Sequence, residues 1–377
     1  MEFKGKHVLV LEGYCKQCLP FLRGFKQAGC EVSVLCSSRL HCSYVSRFPD
    51  HRILGVCDPH KPSESEAYIV SLIKQGHYDL VFPPFDFSAR ILSRHKEELS
   101  AYALLYANDE VVFRKANDKE EVMKTCQEHD IPCPRTYFSM ENLAFPLVLK
   151  PRDQYGARGF HVCRSREELI RYIEEKHIER DQYVMQEYIP EGSCVAGSVQ
   201  MIDREGVIKS SYLYRCEHVF PENGGTSTLN ALLKRDDIRS ECDRLVRLMG
   251  LRGIVGVDLM IDGRTGEGKV IEINPRPVHG IALGFFAGMD HARQVLEDAF
   301  GEEVTAMEPK RWDISSRILQ TDVLWFLTSR NRFRLSPRKL GYKVKEQMFF
   351  WDDPLPWLAF LLEGLRDFRR KMKEKKQ

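Results

Sequence analysis

Two stretches in which polar side chains alternate with apolar ones constrain the fold of this 377-residue chain most strongly. The first reads Gly256-Val-Asp-Leu-Met-Ile, the second reads Val270-Ile-Glu-Ile-Asn-Pro-Arg, and the turn-rich segment 263–268 lies between them. This pattern predicts two neighbouring β-strands. Because strand side chains point alternately to the two faces of a sheet, Glu272 and Asn274 are expected on one face, and the neighbouring strand can place Asp258 beside them.

Two carboxylates and one amide oxygen form an all-oxygen set that suits Mg²⁺ held together with the phosphates of a substrate. The alternative is that these three side chains form only the solvated face of a hairpin. Ile271 and Ile273 predict that the opposite face is buried, and Asn-Pro-Arg is an unusual end for a solvent-facing strand. The pattern therefore favours a metal site, with Mn²⁺ as an alternative to Mg²⁺.

Basic residues that could bind phosphates lie earlier in the chain. Lys150 ends an apolar run that starts at Pro146, and Lys119 begins a predicted helix after Asn117-Asp118. The segment 152–159 reads RDQYGARG, and a loop with two glycines could close its backbone N–H groups over phosphates. As an isolated motif, this loop is more typical of an ordinary hairpin turn than of a phosphate loop, and it lacks the G-x-x-x-x-G-K-[ST] pattern of P-loop proteins.

The first hundred residues alternate short apolar runs with amphipathic stretches. Strands are expected at 7–11, 31–36 and 78–82, and helices at 64–75 and 86–99. This rhythm predicts a parallel sheet with helices on both faces. Ligands of such sheets bind beyond the carboxyl ends of the strands, which here are the segments 12–18 and 83–87.

In their order, these motifs resemble the ATP-grasp superfamily, and within it the carboxylate–amine ligases and the large subunit of carbamoyl-phosphate synthase. Asp118-Lys119 followed by Ile131-Pro-Cys-Pro is similar to the family's D-K segment with its downstream I-P-x-P. The stretch Val184-Met-Gln-Glu-Tyr-Ile is similar to the hinge strand that holds adenine. The resemblance covers about residues 108–280.

The resemblance implies an α/β and α+β chain with the ATP-grasp fold. A Rossmann-like preATP-grasp domain with a parallel sheet would occupy residues 1–107. The N-terminal part of the ATP-grasp unit, including its lid subdomain, would span 108–190, and its C-terminal part, an antiparallel-sheet domain with the metal site, would span 191–300. Residues 301–377 would form a C-terminal extension with a basic helical tail.

The resemblance also implies a role for each matching residue. Asp258, Glu272 and Asn274 would bind the metal, and Lys150 and Arg276 would stabilise charge on the phosphoryl group during transfer. The family's ribose-binding acid usually follows the hinge by a few positions, where this chain has Ser193 and Cys194, so the earlier Glu191 is expected to serve. The residues expected to bind the nucleotide are Lys119, Lys150, Gly156, Arg158, Gly159, Gln186, Glu187, Ile189 and Glu191.

Four more residues are candidates for substrate contacts. Arg215, His218 and Gly225 belong to a segment that ends in Gly-Gly-Thr-Ser-Thr and resembles a loop of ligases similar to carbamoyl-phosphate synthase. The segment could contact phosphates or the activated carboxylate, or it could be a surface hairpin. His279 follows Asn-Pro-Arg-Pro-Val and could contact substrate or serve as a structural hydrogen-bonding group.

The composition disfavours several classes of protein. A net charge of +2 gives no whole-chain bias towards nucleic acid, and no apolar run approaches the roughly 20 residues of a membrane span. The first apolar run is too short for a signal peptide. Twelve cysteines without a spacing framework predict a reduced, cytoplasmic protein. The pair Cys15 and Cys18 could be a redox or zinc half-site, or two structural thiols on a helix.

The tail 366–376 carries seven basic and two acidic side chains behind an apolar helix. It could lean on an anionic membrane surface or a partner, or it could be the solvated end of a docked helix.

Together these patterns predict an ATP-dependent ligase that activates a carboxylate as an acyl phosphate, which an amine or a thiol then attacks. Alternatives are phosphoryl transfer to a hydroxyl group and a nucleotide-binding regulatory protein without ligation. The carboxylate could belong to a small metabolite, an amino acid, a peptide or a sugar. No nucleic-acid partner is expected, and a homo-oligomer is compatible with the sequence.

Overall fold

The computed structural model describes residues 3–153, 159–190, 192–222, 225–333 and 344–374. Gly156, Arg158 and Glu191 therefore lie outside the described residues, and their predicted roles are not addressed by it.

The N-terminal part contains the expected parallel sheet, whose strands follow the spatial order β3-β2-β1-β4-β5. His95 interrupts the single helix expected over 86–99, so two helices form there instead. The elements in chain order are β1 His7–Val10, α1 Cys18–Gln27, β2 Glu31–Cys36, α2 Cys42–Val45, β3 His51–Leu54, α3 Pro62–Gln75, β4 Leu80–Phe82, α4 Asp86–Arg94, α5 Lys96–Leu99 and β5 Leu104–Leu105.

The middle part contains three α-helices and a small antiparallel sheet of order β6-β9-β7-β8. Ser165 caps the helix over 166–176: the Glu168 amide N–H donates to Ser165 Oγ at 3.3 Å. The elements are α6 Glu110–Asn117, α7 Lys119–Glu128, β6 Thr136–Tyr137, β7 Leu147–Pro151, β8 His161–Cys163, α8 Arg166–Lys176 and β9 Tyr183–Glu187.

The C-terminal part is built on a seven-stranded sheet of order β14-β13-β10-β11-β12-β15-β16. Its first five strands pair antiparallel, and β16 pairs parallel to β15. The elements are β10 Cys194–Ile202, β11 Ile208–Phe220, β12 Thr226–Leu233, α9 Asp236–Leu248, β13 Gly253–Ile261, β14 Gly268–Asn274, α10 Ile281–Phe286, α11 His291–Phe300, β15 Ser315–Arg317, α12 Leu319–Thr328, β16 Val344–Glu346 and α13 Leu355–Glu374.

Two cores cover the two faces of the seven-stranded sheet. On one face, Val257, Leu259 and Ile273 pack against helices α6, α7 and α9. On the other face, Tyr212 and Val199 belong to a core that also includes aromatic side chains of the parallel-sheet part. The parallel sheet and the seven-stranded sheet therefore share a core, and this confirms the predicted mixed fold class.

The domain boundaries expected from the sequence stay predictions. Strands β15 and β16 come from the predicted C-terminal extension, yet they continue the seven-stranded sheet. Within the described ranges, no helix combines the length and the apolar character that crossing a bilayer requires.

Candidate active site

The structure brings the three predicted metal ligands together on one face of β13 and β14. Asp258 pairs directly with Glu272 across the two strands, and Gly256 pairs with Asn274. The Asn274 side-chain amide donates to Asp258 Oδ2 at 3.0 Å. The register shifts between Asp258 and Leu259, so Val270 and Ile273 of β14 lie in the core on the opposite face with alternate residues of β13. Burial of that face holds the acids in place.

The two carboxylates have different electrostatic surroundings. Burial, and then the negative charge of Glu272, raises the pKa of the Asp258 carboxyl to about 7. Burial would also raise the pKa of the Glu272 carboxyl, but the ammonium groups of Lys119 and Lys150 outweigh it and lower that pKa. Two acids of one sheet face are thus held close together, with positive charge on the side of Glu272.

Both predicted phosphate lysines lie beside these acids. Lys119 Nζ is 3.1 Å from Glu272 Oε2, and Lys150 Nζ donates to the Ile271 carbonyl at 3.4 Å. Burial lowers the pKa of the Lys150 ammonium to about 7; the Glu272 carboxylate opposes this shift and Lys119 adds to it. Because β7 belongs to the small sheet, Lys150 bridges the small sheet and the seven-stranded sheet.

The first turn of α7 holds Lys119 in place. Asp118 caps the helix by accepting from the Glu120 amide N–H at 2.9 Å, and it also accepts from Arg152 Nε at 3.0 Å. The Lys119 amide N–H donates to the Arg152 carbonyl at 3.1 Å. Arg152, the first residue of the predicted phosphate loop, is therefore part of the framework that positions Lys119.

Arg276 connects the acid-bearing sheet with the parallel sheet. Its Nη2 group donates to Asp86 Oδ2 at 2.6 Å and to Asn274 Oδ1 at 2.8 Å, and the guanidinium lies 4.5 Å from the ring centre of Phe85. Arg276 and Asp86 are both buried. Arg276 Nε is also buried and has no hydrogen-bond partner among the described residues.

A second group of polar residues faces the site from the carboxyl end of the parallel sheet. Glu12 is fully buried in the left-handed region, with φ of 48°, and accepts from the Tyr14 hydroxyl at 2.7 Å and from the Ser88 amide N–H at 2.8 Å. Burial lowers the pKa of the Lys16 ammonium to about 8. Burial, and then the positive charges of Lys16 and Arg276, lowers the pKa of His279 well below its usual value. Lys16 and Arg276 thus form a positively charged corner beside a His279 ring that burial and their charges keep neutral.

The predicted hinge residues lie on β9, between β6 and β7. Gln186 is buried and donates from Nε2 to Thr136 Oγ1 at 3.0 Å. Glu187 forms an ion pair with Lys269, and Ile189 is buried just after the strand. The Glu187 side chain is therefore already paired, and its amide N–H donates to the Arg135 carbonyl at 2.8 Å. Gly159 has φ of 73° and follows the undescribed part of the glycine loop.

The remaining substrate candidates lie in the hairpin of β11 and β12. Arg215 donates from Nε to Glu217 Oε1 at 2.9 Å. By strand alternation it faces away from Tyr214, which shares a row with Gly197 and Asp258. The structure therefore does not bring Arg215 to the acid pair.

His218 and Gly225 make contacts that support the fold of the hairpin. Asp322 Oδ1 accepts from His218 Nδ1 at 2.7 Å, and the His218 ring stacks on Trp325 with 3.5 Å between ring centres. A Cβ atom on Gly225 would lie 2.1 Å from the Phe220 carbonyl carbon, so this turn requires glycine. The contacts favour the hairpin interpretation of this segment over direct substrate contact.

Cys15 and Cys18 are both buried free thiols. Burial raises the pKa of each thiol well above its usual value, whereas redox and zinc-binding cysteines require a lowered one. The structural interpretation of this pair is therefore favoured.

The donor chemistry of the site fits a hard divalent cation and a phosphate-bearing ligand. Two carboxylates face each other at a distance that raises the pKa of Asp258, and such a pair is stabilised by a cation. Asp258, Glu272 and Asn274 could hold Mg²⁺ through oxygen atoms. The buried Nε–H group of Arg276 and the ammonium groups of the two buried lysines could donate hydrogen bonds to phosphate oxygens.

The sequence segment that carries these residues matches a known protein family. The model of the ATP-grasp domain matches residues 116–280, the segment that contains Lys119, Lys150, the acid pair and Arg276. This chain contains an ATP-grasp domain. The match begins in α6 and ends just after His279, so every residue that the resemblance singled out lies within the ATP-grasp domain.

Two curated relatives of the chain are ligases or synthases. It is 24% identical over 240 residues to a D-aspartate ligase of Enterococcus faecium, which covers 56% of each chain. It is 28% identical over 181 residues to the carbamoyl phosphate synthase large chain of Thermus thermophilus, covering 43% of this chain and 17% of that one. The chain thus spans about half of the first relative and a smaller part of the second.

Solved structures extend the likeness beyond the ATP-grasp domain. The biotin carboxylase domain of Hydrogenobacter thermophilus 2-oxoglutarate carboxylase, with MgADP, ADP and bicarbonate, gives a TM-score of 0.67 at 18% identity, covering 82% of this chain and 72% of that one. N5-carboxyaminoimidazole synthetase of Staphylococcus aureus, with ADP, gives 0.61 at 16% identity, covering 80% and 78%. The fold around the ATP-grasp domain, including the parallel sheet, is therefore shared.

Sequence reasoning missed Asp86, Lys16 and Glu12 as individual site residues. It did mark the segments 12–18 and 83–87, because they follow strands of a parallel sheet. The side chains that matter within them depend on how the parallel sheet meets β14, and a single sequence carries no local signal for that contact.

Proposed function

We propose that the chain is an ATP- and Mg²⁺-dependent ligase that joins a carboxylate to an amine or a thiol. The observation that carries the proposal is the pair of half-buried acids Asp258 and Glu272 inside an ATP-grasp domain. The buried Lys119 and Lys150 lie beside them, and Arg276 lies at the edge of the group. A carboxylate pair for a cation and cations for phosphates are what phosphoryl transfer requires.

Each of the chain's own residues has a role in the proposed reaction. Lys119 and Lys150 bind phosphate oxygens, and an anionic phosphate would restore the charged form of Lys150, which burial disfavours. Asp258, Glu272 and Asn274 hold Mg²⁺, or Mn²⁺, which neutralises phosphate charge when bound. Backbone groups of Glu187 to Ile189 and the buried Gln186 shape the adenine site. Gly156, Arg158, Gly159 and Glu191 stay predicted contacts of the phosphates and the ribose.

The proposed reaction has two steps. A carboxylate oxygen of the substrate attacks the γ-phosphorus of ATP, the bond to the β-phosphate oxygen breaks, and ADP leaves. The amine or thiol then attacks the carbonyl carbon of the acyl phosphate, and inorganic phosphate leaves with the bonding electron pair while the attacking group loses a proton. Arg276 stabilises the negative charge during both steps, and positioning supplies most of the remaining rate enhancement.

The positively charged corner favours an anionic substrate next to Arg276. Lys16 and His279 lie on the side of the parallel sheet, and each is buried enough to depress its pKa. A substrate carboxylate placed there would offset that desolvation. Twelve free cysteines and the use of ATP support a cytoplasmic location.

The test is Mg²⁺-dependent release of ADP and phosphate across pools of carboxylates and amines, with Glu272→Ala as the control. We expect release that requires both pools and that is lost in the variant. Hydroxylamine in place of the amine should trap the acyl phosphate as a hydroxamate. ADP release without hydroxamate would favour phosphoryl transfer to a hydroxyl group, and ATP binding without turnover would favour a regulatory protein.

A further inference from the structure

The C-terminal extension, residues 301–377, exposes an unusual number of large apolar side chains. Twenty such side chains are exposed in the described part of the chain, and ten of them lie between residues 323 and 365. Trp351 is 91% exposed and Phe333 is 77% exposed. We call these ten residues the apolar surface: Val323, Leu324, Phe326, Leu327, Phe333, Trp351, Leu355, Leu358, Leu362 and Leu365.

The helix α13 is amphipathic, and four of its leucines are exposed to solvent. Leu355, Leu358, Leu362 and Leu365 recur at spacings of three and four residues, so they form one stripe along the helix. The opposite side of the helix is anchored to the protein: Ala359 is buried, Phe360 packs against a core with Leu19 and Cys42, and Glu363 Oε1 is 3.5 Å from His41 Nε2. Because the other side of α13 is docked on the protein, the leucine stripe faces the solvent.

The helix α12 is fixed beside α13. Gln320 Nε2 donates to the Trp357 carbonyl at 3.1 Å, and Trp325 is buried against His218. Leu324 and Leu327 of α12 are nevertheless exposed, at 45% and 65%. The apolar surface thus spans two helices whose inner sides are both bound to the rest of the chain.

Charge in the chain is divided sharply between this region and the remainder. Residues 323–377 contain 14 basic and six acidic side chains, a net charge of +8. Because the whole chain carries +2, the preceding 322 residues carry −6. Positive charge is thus concentrated in the same segment as the apolar surface.

We propose that the C-terminal extension docks on the surface of a bilayer that contains anionic lipid. An apolar stripe with exposed aromatic rings enters the boundary between headgroups and acyl chains, and Lys and Arg side chains of the same sequence segment bind anionic headgroups. A second copy fits less well, since it would bring two segments of +8 together. A nucleic acid would leave the leucine stripe uncovered. The proposal is independent of the ligase reaction, because the apolar surface contains none of the residues assigned to the site.

The test is flotation of the full chain with phosphatidylcholine vesicles, with and without 30% phosphatidylglycerol. We expect binding to the anionic vesicles to be roughly tenfold tighter or more, and to weaken as salt is raised. The double variant Leu358→Asp/Leu362→Asp should lose this binding. The matched control Val111→Asp/Val207→Asp changes two exposed apolar residues elsewhere and should bind as the wild type does.

Three results would overturn the proposal. Equal binding of the leucine variant and the control would show that the apolar surface is not the contact. Absence of binding to anionic vesicles would exclude a lipid surface. A dimer in light scattering that Leu358→Asp/Leu362→Asp dissociates, without vesicle binding, would assign the surface to a second copy. Binding of ATP by each variant, measured in parallel, separates these outcomes from failure of the ligase proposal.

Discussion

Arg276 and Asp86 form the buried ion pair that ties the acid-bearing sheet to the parallel sheet. Both side chains are almost inaccessible to water, at 7% and 5% exposure, so neither charge can be solvated if the other is removed. Any ligand oxygen that binds Arg276 must share the guanidinium with Asp86. The carboxyl end of the parallel sheet therefore influences the charge that the site offers to a phosphoryl group.

Replacing Asp86 with Asn should destabilise the fold by about 3–5 kcal/mol, because it leaves the Arg276 charge buried without its partner. Urea unfolding followed by tryptophan fluorescence measures the change. The control is Asp352→Asn, which removes the exposed partner of Arg23 and should cost about 0–1 kcal/mol. Equal losses in the two variants would mean that the buried ion pair contributes no more to the free energy of unfolding than the exposed one.

Lys119→Met should reduce ADP release by about a hundredfold or more, because it removes a buried positive charge expected to bind phosphate. Lys124→Met is the matched control: Lys124 lies on the same helix, is largely exposed, and pairs with Glu120 and Glu121. Steady-state assays with saturating Mg²⁺ compare them. Similar activity of both variants would remove Lys119 from the proposed machinery.

At the scale of single residues, the sequence predicted the side chains whose positions depend on neighbouring residues in the chain. Glu272 and Asn274 share a face because strand side chains alternate, and their pairing with Asp258 follows from the short connection between the two strands. Asp86 could not be found in this way, because its contact with Arg276 joins residues 190 positions apart. Lys16 and Glu12 were missed for the same reason.

Among the elements, β16 carries the least expected feature. Its Glu346 carboxylate accepts from the amide N–H groups of Leu319 at 3.0 Å and Met348 at 3.3 Å, and thereby joins the start of α12 to the end of the sheet. Burial nevertheless raises the pKa of the Glu346 carboxyl to about 7.

The stability of the fold should therefore depend on pH through Glu346. Its folded pKa lies above the usual value of 4.5, so the folded chain binds the extra proton between those two values. The contribution is fully present below pH 4.5 and is lost as the pH rises through 7. In the variant Glu346→Gln, the fall in unfolding free energy over this range should be smaller by about 2 kcal/mol.

Thermal unfolding at pH 5 and pH 7.5 measures this difference. Glu303→Gln, an exposed change in a connecting segment, is the control and should keep the wild-type dependence. An unchanged dependence in Glu346→Gln would assign the effect to other carboxyl groups.

The elements that the sequence predicted well are those with local signals. The strand rhythm of the first hundred residues and the hairpin of β13 and β14 each depend on neighbouring residues. Strands β15 and β16 have three residues each and pair with segments far away in the chain. Three residues are too few to show the alternation of a strand, so the sequence did not predict β15 or β16.

At the scale of the whole molecule, the site lies where three sheets meet. Lys150 comes from the small sheet, the acids come from the seven-stranded sheet, and Asp86 follows a strand of the parallel sheet. A nucleotide that binds all of these groups should stabilise their mutual arrangement as well as each part.

Mg²⁺ and ATP together should therefore raise the unfolding temperature, by an amount equivalent to about 2.7 kcal/mol when free nucleotide is 100 times its dissociation constant. Differential scanning fluorimetry with MgATP, and with ATP plus EDTA, measures the shift. Glu272→Ala should show little shift, whereas Glu303→Ala should respond as the wild type does. A shift that does not depend on the metal would place the nucleotide away from the acid pair.

Pairing between β12 and β15 has a consequence for any shortened form of this protein. Leu229, Asn230 and Ala231 bond through their backbones to residues 315–317, and those residues bond in turn to β16. A chain cut before residue 315 would leave β12 as an unprotected edge, with a row of amide and carbonyl groups ready to template strands from other molecules. Strands β15 and β16 thus cover the edge of β12, and a soluble fragment without them would require a new cover for that edge.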